Sequence, residues 1–360
     1  MTTTAPGHSE QRVGELPAPD RGRGKGRRGR RGDANAVVPD AEFTSYYGRP
    51  VVKASPWEAD IPAYLFLGGV AAGSSLLSAG ADLTGRPALR RTGRLGALAA
   101  LLFSFTALVH DLGRPSRFYR MLRVVKVTSP MSVGTWLLTA YSPFAGLAAA
   151  AELRSLLPAR LRDGAVGSLL GGAARPAGLV AAAVAPTIAS YTAVLLTDTA
   201  TPSWRDAQRQ LPLVFVGSAT AAAGGLGMLG APPHEAGPAR RLAVGGALLE
   251  LAVEHRMERA MGLTAEPLHD GQAGRLMRAS RALTAAGTLG ALLAGRSRAR
   301  AAASGAALLA GSACLRFGIF EAGQASARDP RYTVVPQRER LDARLRQEHV
   351  RQPTDPADEE

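Results

Sequence analysis

The sequence predicts an all-α polytopic membrane protein with about eight transmembrane helices. Two observations lead to this fold class. Mean hydropathy is close to zero only because charged tails at both ends offset a very apolar middle. Within that middle, four runs of 21 to 25 residues contain no Asp, Glu, Lys or Arg, and a helix needs about 20 residues to cross the hydrocarbon core. These runs are 61–81, 127–151, 176–197 and 211–233.

Four further spans complete the prediction. The segment 239–258 is interrupted by Glu250 and Glu254, but its position between two other spans requires it to cross as well. Three shorter uncharged runs are extended by flanking arginines, whose long side chains can reach the headgroup layer. These three runs are 95–109, 282–295 and 301–315.

The composition divides the chain into three parts. The first is rich in Gly, Arg and Pro, which predicts a disordered basic tail. Its run 21–31 holds seven basic residues; it can bind anionic lipid or RNA, but the simpler interpretation is a solvated tail that keeps the N-terminus in the cytoplasm. The parts are the tail at 1–56, the transmembrane domain at 57–325 and a charged C-terminal tail at 326–360.

The even number of spans fixes the relation between the two termini. Both lie on one face of the membrane, which we call the terminal face. The formal net charge of +14 includes the basic N-terminal run, and basic residues favour the cytoplasmic side. We therefore expect a multi-pass protein of the cytoplasmic membrane with cytoplasmic termini.

Several chemistries are excluded by what this chain lacks. Its one cysteine, Cys314, lies inside the last predicted span, so neither an intramolecular disulfide nor a four-cysteine iron–sulfur cluster can form from this chain alone. The sequence also has no Gly-rich phosphate loop, no metal-ligand cluster and no hydrolytic triad. We expect no metal site and no catalysis by this chain alone, so partner chains must carry the chemistry.

Polar residues converge near the terminal face when the helix directions are traced. A pocket at that depth with a few hydrogen-bonding groups suits a lipid-tailed ligand such as a quinone. The alternatives are interfacial anchoring by Tyr and Trp and a local hydrogen-bonded pair of His110 with Asp111, which Arg114 would join. The residues that converge are Trp57, Asp60, Tyr64, His110, Asp111, Ser129, Ser132, Trp136, Tyr191, Asp198, Glu250, Glu254 and His255.

Two carboxylates inside the sixth span need a separate explanation. Glu250 and Glu254 are four residues apart and so lie on one helix face. One hypothesis is a proton relay in which His255 stands nearer the surface. The alternative is a structural pair of Glu254 with Arg316 that holds two helices together.

A basic segment follows the second span. Arg114, Arg117, Arg120 and Arg123 alternate with apolar residues at helical spacing. This pattern is typical of a loop that faces phospholipid. It equally suits docking to an acidic ferredoxin-like subunit, because clustered cations complement such surfaces.

Several motifs resemble those of the NrfD/PsrC family of membrane subunits, over roughly residues 57–325. They are YLFLGGVAAG at 64–73, HDLGRPSRFYRMLRVVKVTSPMSVGTWLL at 110–138, SYTAVLLTDTATPSW at 190–204 and LPLVFVGSATAAAGG at 211–225. The resemblance implies two four-helix bundles with a quinone site in the first. It also implies an anchor for an iron–sulfur subunit and a molybdopterin catalytic subunit acting on a substrate such as polysulfide, thiosulfate or formate.

The resemblance also assigns roles to individual residues. Tyr191 corresponds to the family's quinone-contacting tyrosine, and Asp60 and Tyr64 occupy the region where some members have an Asn/His pair. The quinone would be menaquinone or ubiquinone, and no haem or iron–sulfur cluster is expected in this chain. Tyr191, Tyr64, His110, Asp111, Trp136 and Asp60 are therefore the candidate quinone-binding residues.

Two other functions remain open from the residues alone. A haem b anchor needs two axial histidines, and His110 and His255 both end helices on the terminal face. A proton-coupled secondary transporter would place ionisable residues inside helices, as Glu250, Glu254 and Arg316 are placed.

Overall fold

The computed structural model describes residues 49–351. Most of the predicted N-terminal tail, including the basic run at 21–31, lies outside the described residues, as does the end of the C-terminal tail. Within the described residues the chain is helical and contains no strand, as the all-α prediction requires.

Nine helices of 20 residues or more follow one another in this part of the chain, and we number them in order. A 3₁₀ helix, Pro115–Arg123, separates the second from the third, and another, Gly262–Leu268, separates the sixth from the seventh. Short α-helices lie at Ala159–Arg162 and Pro202–Asp206. The long helices are α1 (Asp60–Leu83), α2 (Pro87–Asp111), α3 (Pro130–Glu152), α4 (Ala165–Thr197), α5 (Leu211–Gly230), α6 (Gly237–Met261), α7 (Gly271–Leu293), α8 (Arg298–Arg328) and α9 (Arg331–Arg351).

The first eight helices occupy the eight predicted positions. Five of them, α1, α2, α4, α5 and α8, are long and apolar enough to cross a membrane by themselves. The other three have 23 to 25 residues and pack against members of this set. The all-α polytopic membrane fold is therefore confirmed.

The long helices pack as two groups of four. In the first group α1 packs on α2 and α4, and α4 packs on α3. In the second, α5 packs on α6 and α8, and α8 packs on α7. The groups meet mainly where α1 crosses α5. There Gly73 brings the backbones so close that a Cβ on it would lie 2.6 Å from the carbonyl oxygen of Ala219, which is the close approach that small residues permit in lipid.

An ionic network closes the first bundle at the end opposite the terminal face. Helix α2 begins at Pro87, before the uncharged run at 95–109. Its N-terminal turns therefore contain Arg90 and Arg94. Arg90 binds Asp82 of α1 at 3.3 Å, and Arg90 and Arg94 bind Glu152 of α3 at 2.7 and 2.9 Å. Three helix ends are therefore held together by charges that compensate one another in a region of low dielectric.

The segment before α1 is held by the second bundle. Gln324 of α8 donates from Nε2 to the carbonyl oxygens of Ser55 and Trp57, at 3.0 and 3.2 Å. The Trp57 ring stacks on Trp204 at 6.1 Å between centroids, and Trp204 donates from Nε1 to the Ile319 carbonyl at 2.8 Å. Trp57 is therefore fixed by contacts with residues of α8 and with a tryptophan that α8 orients.

We call the contact of α1 with α5 the seam between the two bundles. We predict that Gly73→Ala weakens this seam. The added methyl group has no space against the α5 backbone, and overpacking of this kind costs about 1–3 kcal/mol. The matched control is Gly80→Ala in the same helix, where a Cβ meets nothing within 4 Å. Thermal unfolding of the detergent-solubilised variants measures the effect; equal midpoints for both variants would contradict the prediction.

Candidate functional site

A small cavity lies inside the first bundle near the terminal face. Helix α1 contributes Tyr64 from its second turn, α2 contributes Asp111 as its last residue, and α4 contributes Tyr191 about two turns before its end. The rest of the wall is apolar apart from Thr135, with Trp57 at one side. The other lining residues are Ile61, Leu108, Leu112, Met121, Met131, Gly134, Leu138 and Leu195.

Tyr191 is held by the first turn of α3. Its hydroxyl donates to the carbonyl oxygen of Pro130 at 2.6 Å. The ring reaches this carbonyl because Gly134 has no side chain; a Cβ there would collide with the Tyr191 hydroxyl. A tyrosine oxygen that donates one hydrogen bond still has lone pairs to accept another.

Tyr64 presents an unused hydroxyl to the cavity. The residue is only 3% exposed, and its hydroxyl has no hydrogen-bond partner among the residues that the structure describes. Its backbone is fixed independently, since Ser104 of α2 donates to the Tyr64 carbonyl at 3.2 Å. A tyrosine hydroxyl can both donate and accept, so this group is available to a molecule that enters the cavity.

His110 and Asp60 form a pair outside the cavity wall. His110 Nδ1 lies 2.7 Å from Asp60 Oδ2, so the imidazole is oriented by α1. The expected pair of His110 with its neighbour Asp111 is therefore wrong, and no ion pair joins Asp111 to Arg114 in the described part of the chain. Asp111 instead lines the cavity.

An apolar groove of about 390 Å³ adjoins the cavity. It runs between α2, α3 and the 3₁₀ helix, and its outer wall includes Leu102 and Phe105, which are exposed on the surface of the first bundle. Five residues line both spaces and so lie between them, and we call these five the neck. They are Leu108, Leu112, Met121, Thr135 and Leu138.

Trp136 does not join this group. It is 38% exposed, and its Nε1 donates to the carbonyl oxygen of Val124 at 3.1 Å. It therefore fastens the loop before α3 and does not line the cavity.

The basic segment forms a 3₁₀ helix with three distinct edges. Because such a helix has three residues per turn, residues three apart lie on one edge. Arg117, Arg120 and Arg123 therefore align, with Arg114 just before them. The side chains of these four arginines are exposed and form no ion pair within the described residues. The apolar residues Phe118, Met121 and Leu122 lie on the other edges and line the groove.

The second bundle encloses the two predicted carboxylates. Glu250 is fully buried, and its Oε1 accepts from Thr284 of α7 at 3.2 Å while Oε2 has no partner in the described structure. Glu254 accepts from Arg281 Nε at 2.8 Å. The expected pair of Glu254 with Arg316 is therefore wrong, because α7 supplies a closer arginine than α8.

Arg316 instead lies where the two bundles meet. It is fully buried, donates to the Phe215 carbonyl at 2.9 Å and covers the Phe215 ring at 3.6 Å. A Cβ on Gly69 of α1 would lie 3.4 Å from its Nη2. Its Nε and Nη1 have no partner among the described residues, and Glu250 is the carboxylate that attracts it.

His255 does not lie beside the buried carboxylates Glu250 and Glu254. It is exposed on another face of α6, whereas Glu258 continues the buried face and binds Arg281. The Nε2 atom of His269 lies 3.8 Å from Glu258 Oε2. The sequence signal for Glu258 was visible, since Glu250, Glu254 and Glu258 are spaced by four residues; nothing local could indicate Arg281 or His269.

The histidines considered for a haem have separate surroundings. His110 belongs to the first bundle and contacts Asp60, whereas His255 is an exposed residue of the second bundle. Within residues 49–351 no group of three or more His, Cys, Asp or Glu side chains is arranged to hold a metal ion.

Comparison with known proteins gives one positive result. The family model described as polysulphide reductase, NrfD, matches residues 51–231, just over half of the 360-residue chain. The matched region contains the whole first bundle, the cavity and α5. No curated protein matches the chain. The family match, together with helices able to span a membrane, shows that this chain is a multi-pass membrane protein and belongs to the NrfD family.

Proposed function

We propose that this chain is the quinone-reactive membrane subunit of an oxidoreductase complex. One observation carries the proposal: an apolar groove at the surface of the first bundle shares five lining residues with a cavity, and Tyr64 of the cavity wall has a hydroxyl with no partner among the described residues. A quinone has this division, with an isoprenoid tail for the groove and a polar ring for the cavity. The NrfD family assignment supports the same role.

The small volume of the cavity limits how a quinone ring can enter it. The cavity measures only about 40 Å³, so a quinone ring must displace part of the neck. Met121 lines both spaces and is the most adaptable side chain there, because methionine is unbranched and flexible. The groove, at about 390 Å³, accepts apolar tail segments without such a change.

The cavity residues have complementary roles in this proposal. A bound quinone supplies the redox chemistry, taking up two electrons and two protons to become a quinol. Tyr64 donates a hydrogen bond to one ring oxygen, and Tyr191 orients the ring from the opposite helix. Asp111 supplies the one carboxylate of the cavity wall. Apolar walls, including Trp57, exclude water from the ring.

The terminal face carries the docking surface for the partners. We propose that the edge formed by Arg114, Arg117, Arg120 and Arg123 binds an acidic, ferredoxin-like iron–sulfur subunit, which in turn contacts a molybdopterin catalytic subunit. The arginines are exposed and without ion pairs in the described structure, so a partner's carboxylates can reach them. With cytoplasmic termini, this face lies on the cytoplasmic side.

We predict that Tyr64→Phe and Tyr191→Phe each weaken quinone binding. Tyr64→Phe removes a donor to a quinone oxygen, whereas Tyr191→Phe removes the bond to the Pro130 carbonyl that holds the Tyr191 ring in the cavity wall. A net hydrogen bond of about 1 kcal/mol corresponds to a roughly fivefold higher Kd. Calorimetric titration of each purified variant with a short-chain quinone measures this Kd.

The control for this prediction is Tyr141→Phe. Tyr141 is also a buried tyrosine of the first bundle, but its hydroxyl bonds Ser75 at 2.7 Å and the Ala71 carbonyl at 2.9 Å, away from the cavity. Equal affinities in all three variants and the unmodified protein would remove both cavity tyrosines from the site.

We predict that the double charge reversal Arg117→Glu with Arg120→Glu reduces recovery of the iron–sulfur subunit with this chain. Like charges across an interface repel, and the effect should diminish as salt rises. The comparison variant is Arg160→Glu with Arg296→Glu, which reverses two exposed arginines on the opposite face, in the connections after α3 and after α7. Identical recovery of the partner from both variants would reject this docking edge.

The second bundle has a separate role in this proposal. We propose that Glu250 and Glu254 relay protons, and that Glu258 and His269 replace His255 as the outer end. The spacing by four residues keeps the three carboxylates on one face of α6, and the unpartnered Glu250 Oε2 leaves a site for water inside the bundle.

We predict that Glu250→Gln lowers proton release coupled to quinone turnover in the reconstituted complex, because an amide cannot carry the proton. The control is Glu266→Gln, an exposed carboxylate on the same face that binds Arg331 at 3.0 Å. Normal proton release and turnover in Glu250→Gln would reject the relay, whereas loss of folded protein would indicate a structural role.

A further inference from the structure

A cluster of ionisable side chains stands at the mouth of the cavity. Glu58 and Asp60 lie at the start of α1, and His110 and Asp111 lie at the end of α2. These four residues are within electrostatic range of one another. Two of them are in direct contact, since His110 Nδ1 and Asp60 Oδ2 are 2.7 Å apart, and Asp111 is the next residue after His110.

The cluster spans the distance from the cavity to solvent. Asp111 is half-buried and lines the cavity. The Asp60 side chain is 33% exposed and the His110 side chain 77% exposed, and neither lines the cavity. The imidazole uses Nδ1 for Asp60, so Nε2 remains available to water.

The helix ends favour this arrangement. Asp60 lies in the first turn of α1, where the unpaired backbone N–H groups attract a carboxylate. His110 lies in the last turn of α2, where the unpaired carbonyls attract an imidazolium. The pair can therefore hold an additional proton on the imidazole without moving either helix.

Two arginines follow the cluster along the chain. Arg114 and Arg117 border an open concavity together with Leu112 and Met121, directly after the end of α2. The chain that follows the cluster is therefore basic and open to water.

An independent observation supports the cavity as a ligand site. Tyr64 is 97% buried, and its hydroxyl faces the cavity with no partner among the described residues. The polar end of an occupant bound to Tyr64 would lie in the same narrow space that Asp111 lines.

We infer that Asp111, Asp60 and His110 form a proton port that joins the cavity to the water of the terminal face. The inference rests on the proposed quinone function. When a quinol is oxidised, two electrons pass to the iron–sulfur partner and two protons leave. The Asp111 carboxylate accepts these protons one at a time, the Asp60–His110 pair receives them, and Nε2 of His110 releases them to water. Reduction uses the same groups in reverse.

The test is His110→Ala in the complete complex, in native membranes. Proton transfer by a positioned side chain contributes about 10²-fold or more, so the rate of quinone reduction should fall at least tenfold. Added imidazole should restore the rate, because the exposed site leaves room for a free base. The matched control is His234→Ala: His234 is likewise 77% exposed beside a carboxylate, Glu235, but lies in the loop between α5 and α6 on the opposite face.

Quinone affinity is the second readout and separates the two proposals. A slow variant with unchanged Kd for a short-chain quinone, rescued by imidazole but not by sodium chloride of equal ionic strength, supports the port. A normal rate, or a slow rate that imidazole does not restore, overturns the port while the quinone site stands. If the unmodified protein does not bind quinone, the proposed function itself fails.

Discussion

A polar side chain inside a bilayer has no bulk water to bind, and the polar interior of this protein is arranged around that constraint. At one end of the first bundle, Arg90 and Arg94 are tolerated in α2 because Asp82 and Glu152 meet them. At the other end, the Tyr64 hydroxyl has no partner among the described residues, and Tyr64 lines a cavity. The same constraint thus accounts for a charge network at one end of the bundle and a candidate ligand site at the other.

The two bundles divide the buried charge between them. The first contains the cavity and its ionisable mouth, whereas the second contains the carboxylate face of α6 and the arginines that oppose it. Arg316 lies at the seam, within contact distance of the position a Gly69 side chain would take. Close packing at the seam depends on small residues, because a side chain on Gly73 of α1 would collide with the backbone of α5. The glycine-rich sequence is therefore as necessary to the arrangement as its charged residues.

Depth along a helix could be predicted from the sequence, but lateral neighbours could not. Each residue advances a helix by 1.5 Å, so tracing the chain direction placed Tyr64, Asp111 and Tyr191 at one level, and the structure brings them together. Which side chain a residue faces depends on helix rotation and packing partners. For that reason His110 pairs with Asp60 from another helix, and Glu254 with Arg281. The sequence predicted that flanking arginines extend the second span, and α2 does include Arg90 and Arg94. Their partner Glu152 could not be predicted, because it lies far away in sequence on α3.

The contact of Gln324 with the segment before α1 bears on whether the two bundles are separable modules. Trp57 forms part of the cavity wall in the first bundle, yet its backbone is fastened by a residue near the end of α8, beyond the region that the family model covers. A shortened chain that ended after α5 would retain every other lining residue of the cavity and lose the clamp on this wall. The bundles are thus interdependent, and a ligand site confined to one half of the molecule owes its shape to the full length of the fold.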